Sequence, residues 1–274
     1  MTTDIENIED WDDAYANGAY IPGAAEYPPR WTAAAKAYRE TVSADLDIAY
    51  GDHPRQRFDL FWPNGTPKGL AVFVHGGYWL KFDKSSWSHL AEGARIAGWA
   101  VAAPSYVLAP EARIAEITEM ISAAVTVAAT KVTGPIHLAG HSAGGHLVSR
   151  LACDNAPFPA DVASRIGRVL SISGLHDLRP LQKTSMNADL RLNDAEAATE
   201  SAALCAPRAS TDVVAWVGAD ERPEFIRQTE LLKTAWDGQV NISSVIEPAR
   251  HHFDVIDGLS TPDSAITKAF IGDA

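Results

Sequence analysis

From residue 45 onward, apolar positions along the chain follow two alternating patterns. Short apolar runs are typical of strands buried on both faces of a sheet. They are LAVFVHGG (residues 70–77), WAVAAPSY (99–106), IHLAG (136–140), RVLSISG (168–174), TDVVAWVG (211–218) and NISSVIEP (241–248). Between them lie helical stretches near residues 85–98, 113–131 and 224–236, and a further helix is expected at the C-terminus. This alternation predicts an α/β fold with a doubly wound, mostly parallel sheet.

Three stretches depart from the alternation. Residues 45–51 and 56–63 alternate polar and apolar side chains, which predicts an antiparallel pair at one edge of the sheet. The first 44 residues or so are mixed and aromatic, and we expect them to pack over the main body. Residues 177–208 are polar and alanine-rich without strand character, which suggests a small inserted cap. A chain of 274 residues suits a single large α/β domain over residues 1–274.

Composition narrows the class of partner. The net charge is −12, which disfavours phosphate backbones and anionic lipid surfaces. We therefore expect a small-molecule substrate, with no nucleic acid or membrane partner; oligomeric state is left open. The two cysteines, Cys153 and Cys205, form no CxxC pair and no disulfide framework. The N-terminus is acidic, and no apolar run approaches the roughly 20 residues that span a bilayer. These features together predict a cytoplasmic protein.

One predicted strand ends at a serine between glycines. Residues 140–144 read GHSAG, directly after the run IHLAG and before a helical stretch. G-x-S-x-G at a strand-to-helix turn is typical of a nucleophile elbow, which would expose Ser142. The turn would also leave the N–H of Ala143 at a helix N-terminus, where it can stabilise developing negative charge. The alternative interpretation is an ordinary strand–turn–helix junction that happens to carry a serine.

Other strand exits supply the remaining parts of a hydrolytic site. HGGYW (residues 75–79) follows a buried strand, where a second set of backbone oxyanion donors is expected. Asp220 and Glu221 follow a later strand, and His251 and His252 follow the next, which is the chain order serine, acid, histidine. Adjacent residues of an extended segment point to opposite sides, and no further histidine, cysteine or carboxylate pattern completes a metal site with His251 and His252, so neither a metal nor another cofactor is expected.

Together, HGGYW, GHSAGGH, the stretch G-x-x-E-x-P-E-F-x-R-Q and H-F-D resemble the kynurenine formamidase (arylformamidase) group. That group belongs to the α/β-hydrolase superfamily, near the hormone-sensitive-lipase-like esterases, and the resemblance runs from about Tyr15 to the C-terminus. It implies an α/β-hydrolase fold with Ser142 as nucleophile, His252 as base and Glu221 as acid. The family often has aspartate at the acid position, so neighbouring Asp220 stays an alternative. The implied oxyanion donors are the backbone N–H groups of Gly77, Tyr78 and Ala143.

The resemblance implies a serine hydrolase that forms an acyl-enzyme and hydrolyses an N-formyl arylamine such as N-formyl-kynurenine. The flat leaving group of such a substrate needs an aromatic slot. Five residues near predicted strand exits are candidates for its lining: Tyr78, Trp79, Tyr106, Phe225 and Phe253.

Three further histidines have less direct expected roles. His137 lies within a predicted strand and is expected to be structural, while His141 and His146 are expected at or near the pocket wall.

Two other functions stay open. The first is a short-chain carboxylesterase or thioesterase with the same triad. The second is a non-catalytic binding protein, which is disfavoured because such proteins usually lose a triad member, whereas Ser142, an acid and His252 are all present.

Overall fold

The computed structural model describes residues 8–272, which contain one eight-stranded sheet. The strands are β1 (Ala44–Ala49), β2 (Arg57–Phe61), β3 (Leu70–Val74), β4 (Ala100–Pro104), β5 (Ile136–His141), β6 (Ile166–Ile172), β7 (Asp212–Gly218) and β8 (Ile242–Glu247). Their order in the sheet is β1-β2-β4-β3-β5-β6-β7-β8. β2 pairs antiparallel with β1 and with β4, and all other pairs are parallel. The predicted antiparallel edge and mostly parallel sheet are confirmed.

Helices cover both faces of the sheet. They are α1 (Trp11–Ala14), α2 (Tyr27–Arg39), α3 (Glu92–Ile96), α4 (Ile114–Lys131), α5 (Ala143–Leu151), α6 (Ala160–Ala163), α7 (Asn187–Leu190), α8 (Asp194–Thr199), α9 (Pro223–Trp236) and α10 (Ala265–Ile271). The helical stretch predicted near residues 85–98 consists of two 3₁₀ turns followed by the short α3. Within residues 8–272, no helix is both long and apolar enough to cross a membrane.

The sheet separates two apolar layers, and β3 shows why its sequence is a continuous apolar run. Leu70, Val72 and Val74 belong to the layer that also holds side chains of α4, α5 and α9. Ala71 and Phe73 belong to the opposite layer, which includes side chains of α2, α3 and α10. Because successive side chains of a strand point to opposite faces, a strand covered on both sides must be apolar at every position.

The segment before β1 packs onto the body of the protein through polar and aromatic contacts. The Tyr15 hydroxyl donates to the buried carboxylate of Glu224 at 2.9 Å. Farther along, the Trp31 ring in α2 packs on the Trp87 ring, with centroids 4.6 Å apart. The Tyr27 hydroxyl lies 3.0 Å from His251 Nε2. These contacts hold the N-terminal segment (residues 8–43) against the loops that follow β3, β7 and β8.

Residues 177–208 lie between β6 and β7 and contain α7, α8 and two 3₁₀ turns. This inserted segment is tied to the N-terminus of α4, to α4 itself and to α5 by polar contacts, some of them ion pairs. Glu200 accepts hydrogen bonds from Thr118 in α4 and Arg150 in α5, and Glu196 pairs with Arg113. The insertion is therefore anchored on the α4/α5 side of the sheet.

Candidate active site

Ser142 lies at the sharp turn between β5 and α5. Its backbone adopts φ 57° and ψ −117°, a strained conformation for a residue other than glycine. The surrounding backbone is too close for larger neighbours. A Cβ on Gly140 would lie 2.1 Å from the carbonyl oxygen of Gly144, and one on Gly144 would lie 2.0 Å from that of Val74. Strand, turn and helix therefore meet at distances that only glycine permits at these two positions, as the elbow motif predicts.

Glu221 and His252 form a buried pair at the exits of β7 and β8. Glu221 Oε2 lies 2.5 Å from His252 Nδ1, and both side chains are almost inaccessible to solvent. The other carboxylate oxygen, Oε1, accepts hydrogen bonds from the Ser173 hydroxyl at 2.6 Å and the Gly218 N–H at 2.9 Å. Asp220 is exposed to solvent. The structure therefore brings Glu221, and not Asp220, to the imidazole.

Further contacts hold the backbone and the ring of His252. His141 Nε2 donates a hydrogen bond to the His252 carbonyl oxygen at 2.9 Å. Burial, and then the nearby His252, lower the pKa of His141 well below its ordinary value, which favours the neutral imidazole. The Phe225 ring packs on the His252 ring with centroids 4.6 Å apart. His251 points elsewhere, since its Nε2 contacts the Tyr27 hydroxyl.

The loop after β3 lies directly against Ser142. A Cβ on Gly76 would lie 2.9 Å from Ser142 Cβ. The next residues take left-handed backbone conformations, with φ 113° at Gly77 and 53° at Tyr78. Within the described part of the chain, no hydrogen bond is donated by the N–H of Gly77, Tyr78 or Ala143. These three N–H groups, two of them in the loop against Ser142 and one directly after it, thus have no acceptor among residues 8–272.

A cavity of about 430 Å³ opens onto Ser142 and His252. Most of its lining is apolar and aromatic. The lining residues are Tyr15, Ala16, Asn17, Gly18, Ala19, Ala24, Ala25, Pro28, Trp31, Gly76, Gly77, Tyr78, Lys81, Phe82, Trp87, His141, Ser142, His252 and Phe253. The N-terminal segment contributes nine of these, from Tyr15 to Trp31, so it forms one wall of the cavity.

Two of the five predicted slot residues, Tyr78 and Phe253, line this cavity. Trp79, Tyr106 and Phe225 do not, because their side chains enter the layer that also holds α4, α5 and α9. Trp79 packs edge-on against His146, and Tyr106 stacks on His75 with centroids 4.4 Å apart. A position near a strand exit thus fixed where the backbone lies but not which way the side chain points.

The remaining sequence expectations have mixed outcomes. His141 lines the cavity as expected, whereas His146 donates its Nε2 hydrogen bond to the carbonyl oxygen of Glu200 in the insertion. His137 contacts the Phe270 carbonyl oxygen at 3.2 Å and the Trp99 ring, which fits a structural role. The inserted segment, predicted to be a cap, contributes no residue to this cavity. The aromatic N-terminal segment covers the cavity instead. Its tyrosines and tryptophans are the sequence feature that could have predicted this placement.

A sheet of this order with a serine elbow after its fifth strand defines an α/β hydrolase. Residues 71–219 match the family described as the alpha/beta hydrolase fold, and the chain belongs to that family of hydrolases. The chain is 26% identical to the kynurenine formamidase of Danio rerio over 246 residues, which covers 85% of this chain and 83% of that protein.

Two solved structures extend the comparison. A protein of Silicibacter sp. TM1040, provisionally described as a thioesterase, is 52% identical, with a TM-score of 0.92 over 96% of this chain and 99% of that one. An esterase of Pyrobaculum calidifontis, at 16% identity and a TM-score of 0.71 over 90% of both chains, shares the fold.

Proposed function

We propose that the chain is a serine hydrolase whose triad is Ser142, His252 and Glu221, and that it hydrolyses N-formyl arylamines such as N-formyl-kynurenine. One observation carries the proposal. The strained Ser142 and His252, which is paired with the buried Glu221, line the same cavity with aromatic walls. The kynurenine formamidase relatives, aligned over most of the chain, support the choice of substrate class.

The chemistry follows from the proton positions. Glu221 accepts the Nδ1–H of His252, which leaves Nε2 free to take the hydroxyl proton of Ser142. The Ser142 oxygen then attacks the formyl carbon, and the N–H groups of Gly77, Tyr78 and Ala143 stabilise the resulting oxyanion. His252 returns the proton to the leaving nitrogen, and the arylamine departs. Water then attacks the formyl-enzyme by the same route and releases formate.

The cavity suits a flat, apolar leaving group. Its volume of about 430 Å³ lies in the range typical of small-molecule sites. Trp31 packs edge-on against Phe82 and Phe253, so the rings form a fixed aromatic wall. Among the lining residues within 8–272, Lys81 alone carries a permanent charge. A neutral or anionic aromatic substrate therefore fits this lining better than a cationic one.

A second candidate function uses the same triad. The relative at 52% identity is provisionally described as a thioesterase, which favours a short-chain ester or thioester as the alternative substrate. Neither the triad nor the oxyanion donors distinguish these acyl compounds, because each of them forms a tetrahedral intermediate with an oxyanion at the same place.

The test is to measure kcat/KM of the purified protein for N-formyl-kynurenine, p-nitrophenyl acetate and an acetyl thioester. We expect formamide hydrolysis that Ser142→Ala lowers at least about 10³-fold with no change in melting temperature. Ser164→Ala is the matched control, because Ser164 is exposed and its hydroxyl donates to the nearby Asp161 carbonyl oxygen. Ester or thioester turnover without formamide turnover would replace the substrate class. Full activity in Ser142→Ala would reject the triad.

A further inference from the structure

One polar side chain in the cavity wall has an unused hydrogen-bonding atom. Asn17 lines the cavity and is 5% exposed. Its side-chain nitrogen donates to the Tyr78 hydroxyl at 3.2 Å, but its Oδ1 has no partner within residues 8–272. A carbonyl oxygen that loses its hydrogen bonds to water on burial and gains no other donor raises the free energy of the folded state, and such atoms are uncommon in folded proteins.

The orientation of the Asn17 amide is set by its neighbours. The Tyr78 hydroxyl donates its single proton to the Tyr15 carbonyl oxygen, which can only accept. The same hydroxyl must therefore accept the hydrogen bond from Asn17. The amide presents its NH₂ to Tyr78, and its Oδ1 stays without a donor. Burial raises the pKa of Tyr78 above its ordinary value, so the hydroxyl keeps that proton.

Hydrogen bonds connect Asn17 to the loop after β3. The Asn17 backbone N–H donates to the same Tyr15 carbonyl at 2.9 Å, and Tyr15 is anchored through its hydroxyl to Glu224. Tyr78 belongs to the loop that supplies the proposed oxyanion donors. The unused acceptor is thus one hydrogen bond away from a residue whose backbone lies beside Ser142.

We propose that Asn17 Oδ1, which its neighbours now cover, is a specificity-determining acceptor: on substrate binding a small shift of the side chain exposes it, and it takes a hydrogen bond from an N–H group of the substrate. This inference rests on the proposed function of the same cavity and names a chemical feature that the substrate carries. Two sources supply such a donor in an aryl formamide: the N–H of the scissile amide, or an ammonium group on the leaving group. A substrate with neither leaves Oδ1 buried without a partner, and the site disfavours it. Tyr78 is the positioning residue.

The experiment uses four probes that share one aromatic skeleton. Two are formamides, N-formyl-kynurenine and its analogue without the ammonium group. The other two are the matching formate esters, in which oxygen replaces the amide N–H. Values of kcat/KM are measured for the full-length protein, for Asn17→Ala and for Asn241→Ala. Asn241 is a matched control because it is exposed and bonds to Asp212 at the far edge of the sheet.

We expect Asn17→Ala to lower kcat/KM about 10- to 100-fold for probes with the recognised donor and less than about threefold for the ester without ammonium. Loss for both formamides identifies the scissile N–H, and loss only for the two ammonium-bearing probes identifies the ammonium. Equal losses across all four probes, or no loss, would overturn the inference. Asn241→Ala should leave all four values unchanged.

Two further outcomes are distinguishable. If the wild-type protein hydrolyses the esters but neither formamide, the proposed formamidase function fails. The ester pair then decides the role of Asn17: a loss confined to the ammonium ester supports it, and equal effects overturn it. If Asn17→Ala does not fold, Tyr78→Phe frees the amide from its fixed orientation. A loss of discrimination between the probes supports the inference there, and a uniform loss overturns it.

Discussion

The most informative substitution is Glu221→Gln, because the carboxylate contacts allow its effect to be worked out atom by atom. Glu221 Oε1 faces two donors, the Ser173 hydroxyl and the Gly218 N–H. The Gly218 N–H can only donate, so a glutamine must place its carbonyl oxygen there. Its NH₂ then faces His252 Nδ1, the atom that now lies 2.5 Å from Oε2.

This orientation forces the wrong tautomer on His252. Nδ1 must accept from the amide, so the imidazole proton moves to Nε2, and Nε2 can no longer take the proton of Ser142. The buried negative charge that stabilises the imidazolium is lost as well. A matched substitution in serine proteases costs about 10⁴-fold in kcat, and we expect a loss of that order, equivalent to about 5.4 kcal/mol of barrier height.

The assay compares Glu221→Gln with Asp220→Asn in kcat and in melting temperature. Asp220 is exposed, so its variant should stay within about twofold of wild type. The reasoning is refuted if folded Glu221→Gln loses less than about tenfold. It is also refuted if Asp220→Asn shows the larger loss, since the acid would then be Asp220.

Three other predictions concern the elbow, the buried histidines and Lys81. Gly144→Ala places a Cβ 2.0 Å from a backbone oxygen and should lower the free energy of unfolding, measured in urea, by about 3 kcal/mol. Gly167 has room for a Cβ, so Gly167→Ala should change the free energy of unfolding by less than about 1 kcal/mol. Equal losses in the two variants would contradict the packing argument. Burial lowers the pKa of His75 and of His176 to about 4, below the roughly 6.5 of a histidine in the unfolded chain. The unfolded state therefore binds more protons, and the free energy of unfolding should fall as the pH is lowered from about 6.5 to 4, by up to about 1.4 kcal/mol per pH unit for each histidine. Urea unfolding with no such pH dependence would contradict this. Lys81→Met should raise KM about two- to fivefold for a carboxylate-bearing substrate and leave KM for p-nitrophenyl acetate unchanged. Equal changes in KM for the two substrates would exclude charge recognition as the cause.

The strands and the elbow were predictable because they depend on local patterns. A strand covered on both faces needs a continuous apolar run, as in β3, and a turn as tight as that at Ser142 needs glycine on both sides. Both requirements are visible over fewer than ten residues. The order of serine, acid and histidine follows from the order of the strands that end beside them.

The choice between Asp220 and Glu221 could not be made from spacing, because adjacent residues in a turn point in different directions. What selects Glu221 is the Ser173 hydroxyl and the Gly218 N–H that receive its carboxylate. Ser173 lies at the exit of another strand, so this partner is non-local in sequence.

The cavity lining was the hardest part to predict. Trp79, Tyr106 and Phe225 were expected in the slot but pack into one layer of the core. The wall is completed instead by Trp31 and its neighbours from the N-terminal segment. That arrangement depends on contacts such as Tyr15 with Glu224, which join residues far apart in the chain.

The placement of the N-terminal segment separates two properties that enzymes often encode together. The groups proposed to break the bond come from turns after β3, β5, β7 and β8, while nine of the residues that line the cavity come from residues 15–31, far upstream. Tyr15 and Asn17 also hold Tyr78 through hydrogen bonds, but Ala24, Ala25 and Pro28 line the cavity without such a bond to the loop after β3. For evolution and for protein engineers alike, these three positions are the place where a library of variants can change selectivity at the least risk to turnover.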